Sequence, residues 1–249
     1  MITTVQDIAV VFRGELDLAL RMKGWLLIGL IQPFVYLLLF GPLLGSALPA
    51  GQNPWLFFVP GLLLQLGLFG TGFAGFNLIP DIRSGFVERL RVTPVSRLAI
   101  LLGRVLKDAV VLVLQAVPLI LLGYALGMAA DPVGVVAAFG LILITGIGLA
   151  SLSYVLALTL PNEYLFAPAV NTLAIPLMLL SGILLPLEGA PAWLDWLARL
   201  NPLRHVLDAT RDLFAGVVDA TVYTGAAVAI VLALVSFVVG ARLFAGRTA

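Results

Sequence analysis

Cysteine is absent, and histidine occurs once, at His205. The first absence excludes disulfides, thiolate metal sites and cysteine nucleophiles. The second excludes HExxH and other multi-histidine zinc sites. Lysine is scarce too. Of 14 basic residues two are lysines, Lys23 and Lys107, and neither sits in a GxxxxGK[ST] loop, so the sequence carries no phosphate loop of its own. Charged residues make up 11% of the chain, whereas a soluble domain carries about a quarter. Hydrocarbon takes their place. The 249 residues are 61% hydrophobic with a mean hydropathy of +1.13, which defines an integral membrane protein. The start, MITTVQD, has its first basic residue at Arg13. It shows neither the apolar run nor the small-residue cleavage site of a secretory signal, and none is expected.

Crossing ~30 Å of hydrocarbon takes about 20 apolar residues as a helix. Six segments qualify: 25–44, 55–79, 96–126 (with its apolar part from Ala109 to Leu126), 132–160, 164–185 and 221–241. The expected class is therefore all-α with six transmembrane helices. Breakers separate the segments: GSALPAGQNP, IPD, AADP and LPNE. With both termini on one side, 11 basic residues fall on that side and three, Arg199, Arg204 and Arg211, on the other. The positive-inside rule then places both termini in the cytoplasm of a multi-pass cell-membrane protein. Residues 81–108 hold nine charges. At roughly 2.5–3.5 kcal/mol each in the bilayer centre, burying them would cost on the order of 25 kcal/mol. That segment is expected in water or along the interface.

Three segments are amphipathic without spanning. In residues 3–22, Val5, Ile8, Phe12, Leu16 and Ala19 recur at helical spacing, and Thr3 and Gln6 have capping-box spacing. This reads as a helix on the inner leaflet. In residues 81–92, Phe86 and Leu90 share a face, with Glu88, Arg89 and Arg91 on the others. Thr93 and Pro94 then form a cap and first-position pair that starts the next helix. Residues 186–215 hold two short stripes, Trp193–Leu197–Leu200 and Leu203–Val206–Leu207–Phe214. Trp193 and Trp196 suit a membrane–water interface.

Two runs carry a resemblance. VERLRVTPVSRLAILLGRVLKD resembles the cytoplasmic loop after the second span of type-2 ABC exporter permeases. LSGILLPLEGAPAWLDWLARLNPLRHVLDATRDLFAG, Leu180 to Gly216, resembles the segment between the fifth and sixth spans of that family, including the SGILLPLE start, the pair Asn201–Pro202 and the basic position Arg211. The closest likeness is to bacterial drug, polyketide-antibiotic and lipo-oligosaccharide exporters. The resemblance implies a non-catalytic permease subunit in a bacterial cytoplasmic membrane. Residues 81–92 would be a coupling helix resting on an ATPase, with Phe86, Glu88, Arg89, Leu90 and Arg91 as its contacts. Residues 3–22 would be a connecting helix beside it. Residues 186–215 would be re-entrant external helices, with Trp193, Leu197, Leu207 and Arg211 forming an external gate. Two permease copies, as a homodimer or a related heterodimer, would work with two copies of an ABC-type ATPase that binds ATP and Mg. No cofactor, metal or nucleic acid is implied for this chain. The cargo would be an amphiphilic drug, antibiotic, lipid or lipid-linked glycan.

The polar residues within spans, Gln32, Gln65, Asn77, Gln115 and Asn171, suit interhelical hydrogen bonding. Gln65, Phe69, Phe73 and Phe76 also form a stripe on the second span. In the resembled family that span and the fifth face the cavity, so the stripe and Asn171 are a candidate substrate path. A membrane-embedded enzyme would need clustered acids, histidines or a nucleophile–base pair. An ion-coupled secondary transporter would need ionisable residues at mid-membrane. The spans, with the third counted from Ala109, show neither.

Overall fold

The structure is a computed structural model that describes residues 2–21, 23–47, 53–83, 97–160, 162–187 and 189–246. Ten α-helices run through them: α1 (Ile2–Arg21), α2 (Lys23–Ala47), α3 (Pro54–Gly72), α4 (Leu78–Arg83), α5 (Arg97–Ala125), α6 (Pro132–Thr159), α7 (Phe166–Ser181), α8 (Ala192–Leu200), α9 (Pro202–Phe214) and α10 (Ala220–Gly246). The described residues contain no strand. Five stretches are long and apolar enough to cross a membrane: Pro54–Pro80, Ala99–Ala125, Pro132–Thr159, Glu163–Ser181 and Ala220–Leu243. A sixth apolar stretch, Leu27–Leu43, is shorter and lies within the longer helix α2.

Asn or Asp followed by Pro starts three of these helices. Asn53 accepts from the Trp55 N–H at 3.0 Å ahead of Pro54. Asp131 accepts from the Gly134 N–H at 2.6 Å ahead of Pro132. Asn201 accepts from the Leu203 N–H at 3.0 Å ahead of Pro202. The side chain satisfies an orphan donor, and proline occupies a position where its missing N–H removes nothing.

The span through α3 is broken. After Gly72 the chain turns at Phe73, forms a 3-10 turn over Ala74–Asn77 and resumes as α4. Glycine is a weak helix former, and Gly70, Gly72 and Gly75 cluster here. The break needs a partner for its freed backbone groups, and Ser153 of α6 supplies one. Its hydroxyl accepts from the Gly75 N–H at 2.9 Å and donates to Gly72 O at 2.6 Å. A side chain at Gly75 would collide with the Ser153 carbonyl, so the approach of α6 requires glycine there.

Helix α6 is the centre of the bundle and packs on α10, α3, α9 and α5. Helix α1 packs on α5, where Gly103 admits Val11. We call that end of the bundle basal. Helices α8 and α9 sit at the opposite, cap end, with the end of α7 and the start of α3. Large apolar side chains stay exposed on α2 (Leu27, Ile31, Val35, Leu38, Leu39), on α7 (Leu173, Ile175, Leu179) and on α10 (Val231, Leu234, Val235). Water would penalise such faces, but hydrocarbon does not.

Candidate functional site

At the basal end the structure departs from the sequence reading. Arg104, Lys107 and Asp108 were expected at the wet start of the third span. Instead they lie within α5 and are enclosed by α1 and α6. Arg104, 4% exposed, places its Nε 2.9 Å from Oε1 of Glu15 on α1. Lys107 pairs with Asp108. The Tyr154 hydroxyl of α6 donates to Asp108 Oδ2 at 2.6 Å, and both residues are buried. Burial of charge is tolerated where partners replace water, and α1 brings one of them. Periodicity places Glu15 on the helix but cannot say which neighbour it meets.

The stripe on the second span is divided. Gln65 is 2% exposed, and its Oε1 accepts no hydrogen bond among the described residues. Phe69 and Phe73 are partly buried against the core. Phe76 is exposed. Phe73 and Phe76 both meet Phe166 of α7 edge-on, with centroids 6.3 and 5.9 Å apart. The expected regular spacing runs through the helix break, so the later members rotate away from the line of Gln65 and Phe69. Asn171 is half-buried on α7. Phe86, Glu88, Arg89, Leu90 and Arg91, with the rest of 84–92, lie outside the described residues.

The four cap-end candidates also part company. Trp193 and Leu197 are exposed on α8, whereas Leu207 is fully buried on α9. Leu207 is therefore core, and a charge there would break packing before it altered any gate. Arg211 staples three elements. Its guanidinium lies 3.7 Å from the Phe57 ring centroid, and it donates to Phe57 O at 3.2 Å and Gly182 O at 2.8 Å. Gly182 ends α7 in the left-handed region, φ 81°, a conformation glycine enters at little cost. Helix α7 therefore stops at Ser181, short of the residue 185 expected for the fifth span.

Helices α8 and α9 are joined by charge. Asp195 Oδ1 accepts from Arg204 at 2.7 Å, and its Oδ2 pairs with Arg199 at 2.7 Å. These hydrogen bonds, Arg204 first, hold the Asp195 carboxyl below its ordinary range. Asn201 donates to Leu177 O of α7 at 2.7 Å while capping α9. His205 Nε2 lies 2.9 Å from Arg199 O. Asp208 and Asp212 are both raised, chiefly by burial. Among the described residues no cluster of three or more His, Cys, Asp or Glu could hold a metal ion.

These features define a class: an all-α integral membrane protein whose polar groups cluster at the two ends of an apolar bundle. The family model described as ABC-2 type transporter matches residues 6–215. The chain belongs to that family and is a translocation subunit of an ATP-binding-cassette exporter. It is similar to the putative transport permease ycf38 of Cyanophora paradoxa, 32% identical over 217 residues, covering 85% of this chain and 75% of that protein. It is also similar to the daunorubicin resistance ABC transporter permease protein DrrB1 of Streptomyces coeruleorubidus, 28% identical over 189 residues, with coverage of 75% and 67%. The probable multidrug ABC transporter permease YbhR of Escherichia coli strain K12 is 25% identical over 163 residues, 64% of this chain and 43% of that protein.

Proposed function

We propose that the protein moves an amphiphilic compound (a drug, antibiotic, lipid or lipid-linked glycan) outward through the cytoplasmic membrane, driven by a separate ATPase subunit. One observation carries the reading. The family match extends over residues 6–215, while the sequence has no phosphate loop, and this family pairs its permeases with an ATPase. Relatives named for daunorubicin resistance and multidrug transport support an amphiphilic cargo.

In this reading the basal end is cytoplasmic, as the distribution of basic residues favours. Residues 81–92 rest on the ATPase, with Phe86 and Leu90 as apolar anchors and Glu88, Arg89 and Arg91 as polar contacts. Helix α1 is the connecting helix. The cap end is external, and Trp193, Trp196 and Leu197 of α8 dip into the outer leaflet. Two permease copies with two ATPases form the working unit, and the exposed apolar faces of α2 and α7 favour contact between the copies there. The path is lined by Phe76 and Asn171, with Phe69 and Phe73 behind them, and Gln65 joins it when the bundle opens.

The test is co-purification with the neighbouring-gene ATPase, followed by a screen for amphiphiles that stimulate ATP turnover. Stable complexes with stimulated turnover are expected. A permease that binds no ATPase, or a complex containing one permease per ATPase pair, refutes the corresponding part.

A further inference from the structure

At the cap end a cavity of about 540 Å³ lies between Phe57, the turn after α7, α8 and α9. That is within the range of small-molecule sites, ~300–1,000 Å³. Phe57, Pro186 and Leu187 supply the large apolar part of its wall. Four charged groups also line it: Asp195, Arg204, Asp208 and Arg211.

The four are not equally engaged. Arg211 is held by two carbonyls and the Phe57 ring. Arg204 and Asp195 hold each other, and Asp195 also holds Arg199. Asp208 is left over. Arg204 Nε lies 3.9 Å from its Oδ2, beyond hydrogen-bond reach, and Arg211 acts on it only as a neighbouring charge. No described residue donates a hydrogen bond to it. Partial burial raises its pKa more than Arg211, Arg204 and His205 lower it, yet its side chain is 41% exposed, so solvent rather than the protein completes its hydrogen bonding. A carboxylate in that condition gains most from a cation that brings its own hydrogen-bond donors. An anion gains less, because each guanidinium on the wall already holds an acceptor within the protein.

We propose that this cavity binds the ammonium head of a cationic amphiphile, with Asp208 as counter-ion and the Phe57–Pro186–Leu187 wall receiving the adjoining apolar chain. The assignment rests on the permease reading and specifies the cargo's charge at the exit side. Its position beside the Arg211 staple, which joins α9 to α7 and α3, places the ligand where it touches the elements that close the cap.

The test uses the full chain in zwitterionic-lipid nanodiscs and radiolabelled decylammonium, with protein-free discs as background. Saturable binding is expected, displaced by unlabelled decylammonium but not by decyl sulfate or decyl glucoside. Asp208→Asn should weaken it about tenfold or more, the loss of one charge-assisted contact. Asp208→Glu and Asp212→Asn should retain it. Asp208→Asn should also melt no lower than the wild type, because the carboxylate is not satisfied within the protein. Three results would each overturn the proposal: unchanged binding in Asp208→Asn, equal competition by decyl sulfate, or a lower melting temperature for Asp208→Asn. The assay needs neither ATPase nor transport. A negative result therefore removes the cavity assignment and leaves the permease reading in place, whereas failure to associate with an ATPase does the reverse.

Discussion

Tyr154→Phe deletes one oxygen atom from the basal end. That oxygen donates to Asp108 Oδ2 at 2.6 Å, between residues 2% and 7% exposed, so no water readily takes its place. A hydrogen bond to a charged group contributes about 1.5–3 kcal/mol net. In a protein of this size each kcal/mol moves the melting temperature by about 2–4 °C. The variant should therefore melt about 3–12 °C below the wild type in the same detergent. Asp108→Asn provides the second arm of a double-mutant cycle. Against a neutral partner the hydroxyl contributes about 1 kcal/mol, so Tyr154→Phe should cost less in the Asp108→Asn background. The expected coupling is about 0.5–2 kcal/mol. Tyr124→Phe is the control. Its hydroxyl reaches Ala130 O at 3.4 Å in an exposed position, and its loss should leave melting unchanged. If Tyr154→Phe melted as the wild type does, the claim that α6 holds Asp108 in place would be wrong.

Leu197→Asp should leave folding intact and impair transport in the reconstituted complex, while Leu207→Asp should lower the yield of folded protein; equal yields for the two would contradict the burial assigned to Leu207. Gly134→Ala should abolish folding or lower melting sharply, because its Cβ would run into the Leu213 carbonyl and overpacking against backbone costs at least 1–3 kcal/mol; ordinary thermal stability would refute that contact. The pH profile of melting should carry opposite contributions from the cap end. Asp208 and Asp212 have raised folded values, so they bind protons more readily folded than unfolded, and stability falls as pH rises from about 3.9 through those values. Asp195 is lowered, so its contribution is present above about 3.9 and lost as pH falls through its folded value. Asp208→Asn should flatten the first slope and leave the second, and an unchanged profile would argue against burial as the cause.

The elements that sequence periodicity finds best are those whose environment is uniform. Helices α6 and α10 are apolar over nearly their whole length, so hydropathy alone locates them. The resemblance carried by Leu180–Gly216 pointed to short cap-end helices, and α8 and α9 do carry their stripes at helical spacing. Three things were not legible. The break at Gly72–Asn77 depends on Ser153, which lies about 80 positions away in sequence. The basal charges read as water-facing because nothing in a one-dimensional pattern says that Glu15 will meet Arg104. Leu207 and Leu197 look alike in a helical stripe, yet one faces the bundle and the other does not. The Asn53–Pro54 and Asp131–Pro132 pairs lie in stretches read as breakers and Asn201–Pro202 in the resembling run; of the three prolines only Pro132 was expected as a segment start, and it begins α6 to the residue.

The break in the second span gives the segment between α4 and α5 two unlike mountings. On one side stands α4, six residues and about 9 Å long, set on a joint that Ser153 clasps. On the other, α5 runs 21 residues from Arg97 before reaching Pro118, about 32 Å of uninterrupted helix. A stiff rod carries displacement along its length, while a jointed one absorbs it near the pivot. On the proposed function, a force delivered between α4 and α5 would pass chiefly along α5, and the Arg104–Glu15 ion pair sits on that rod like a strut bracing its foot.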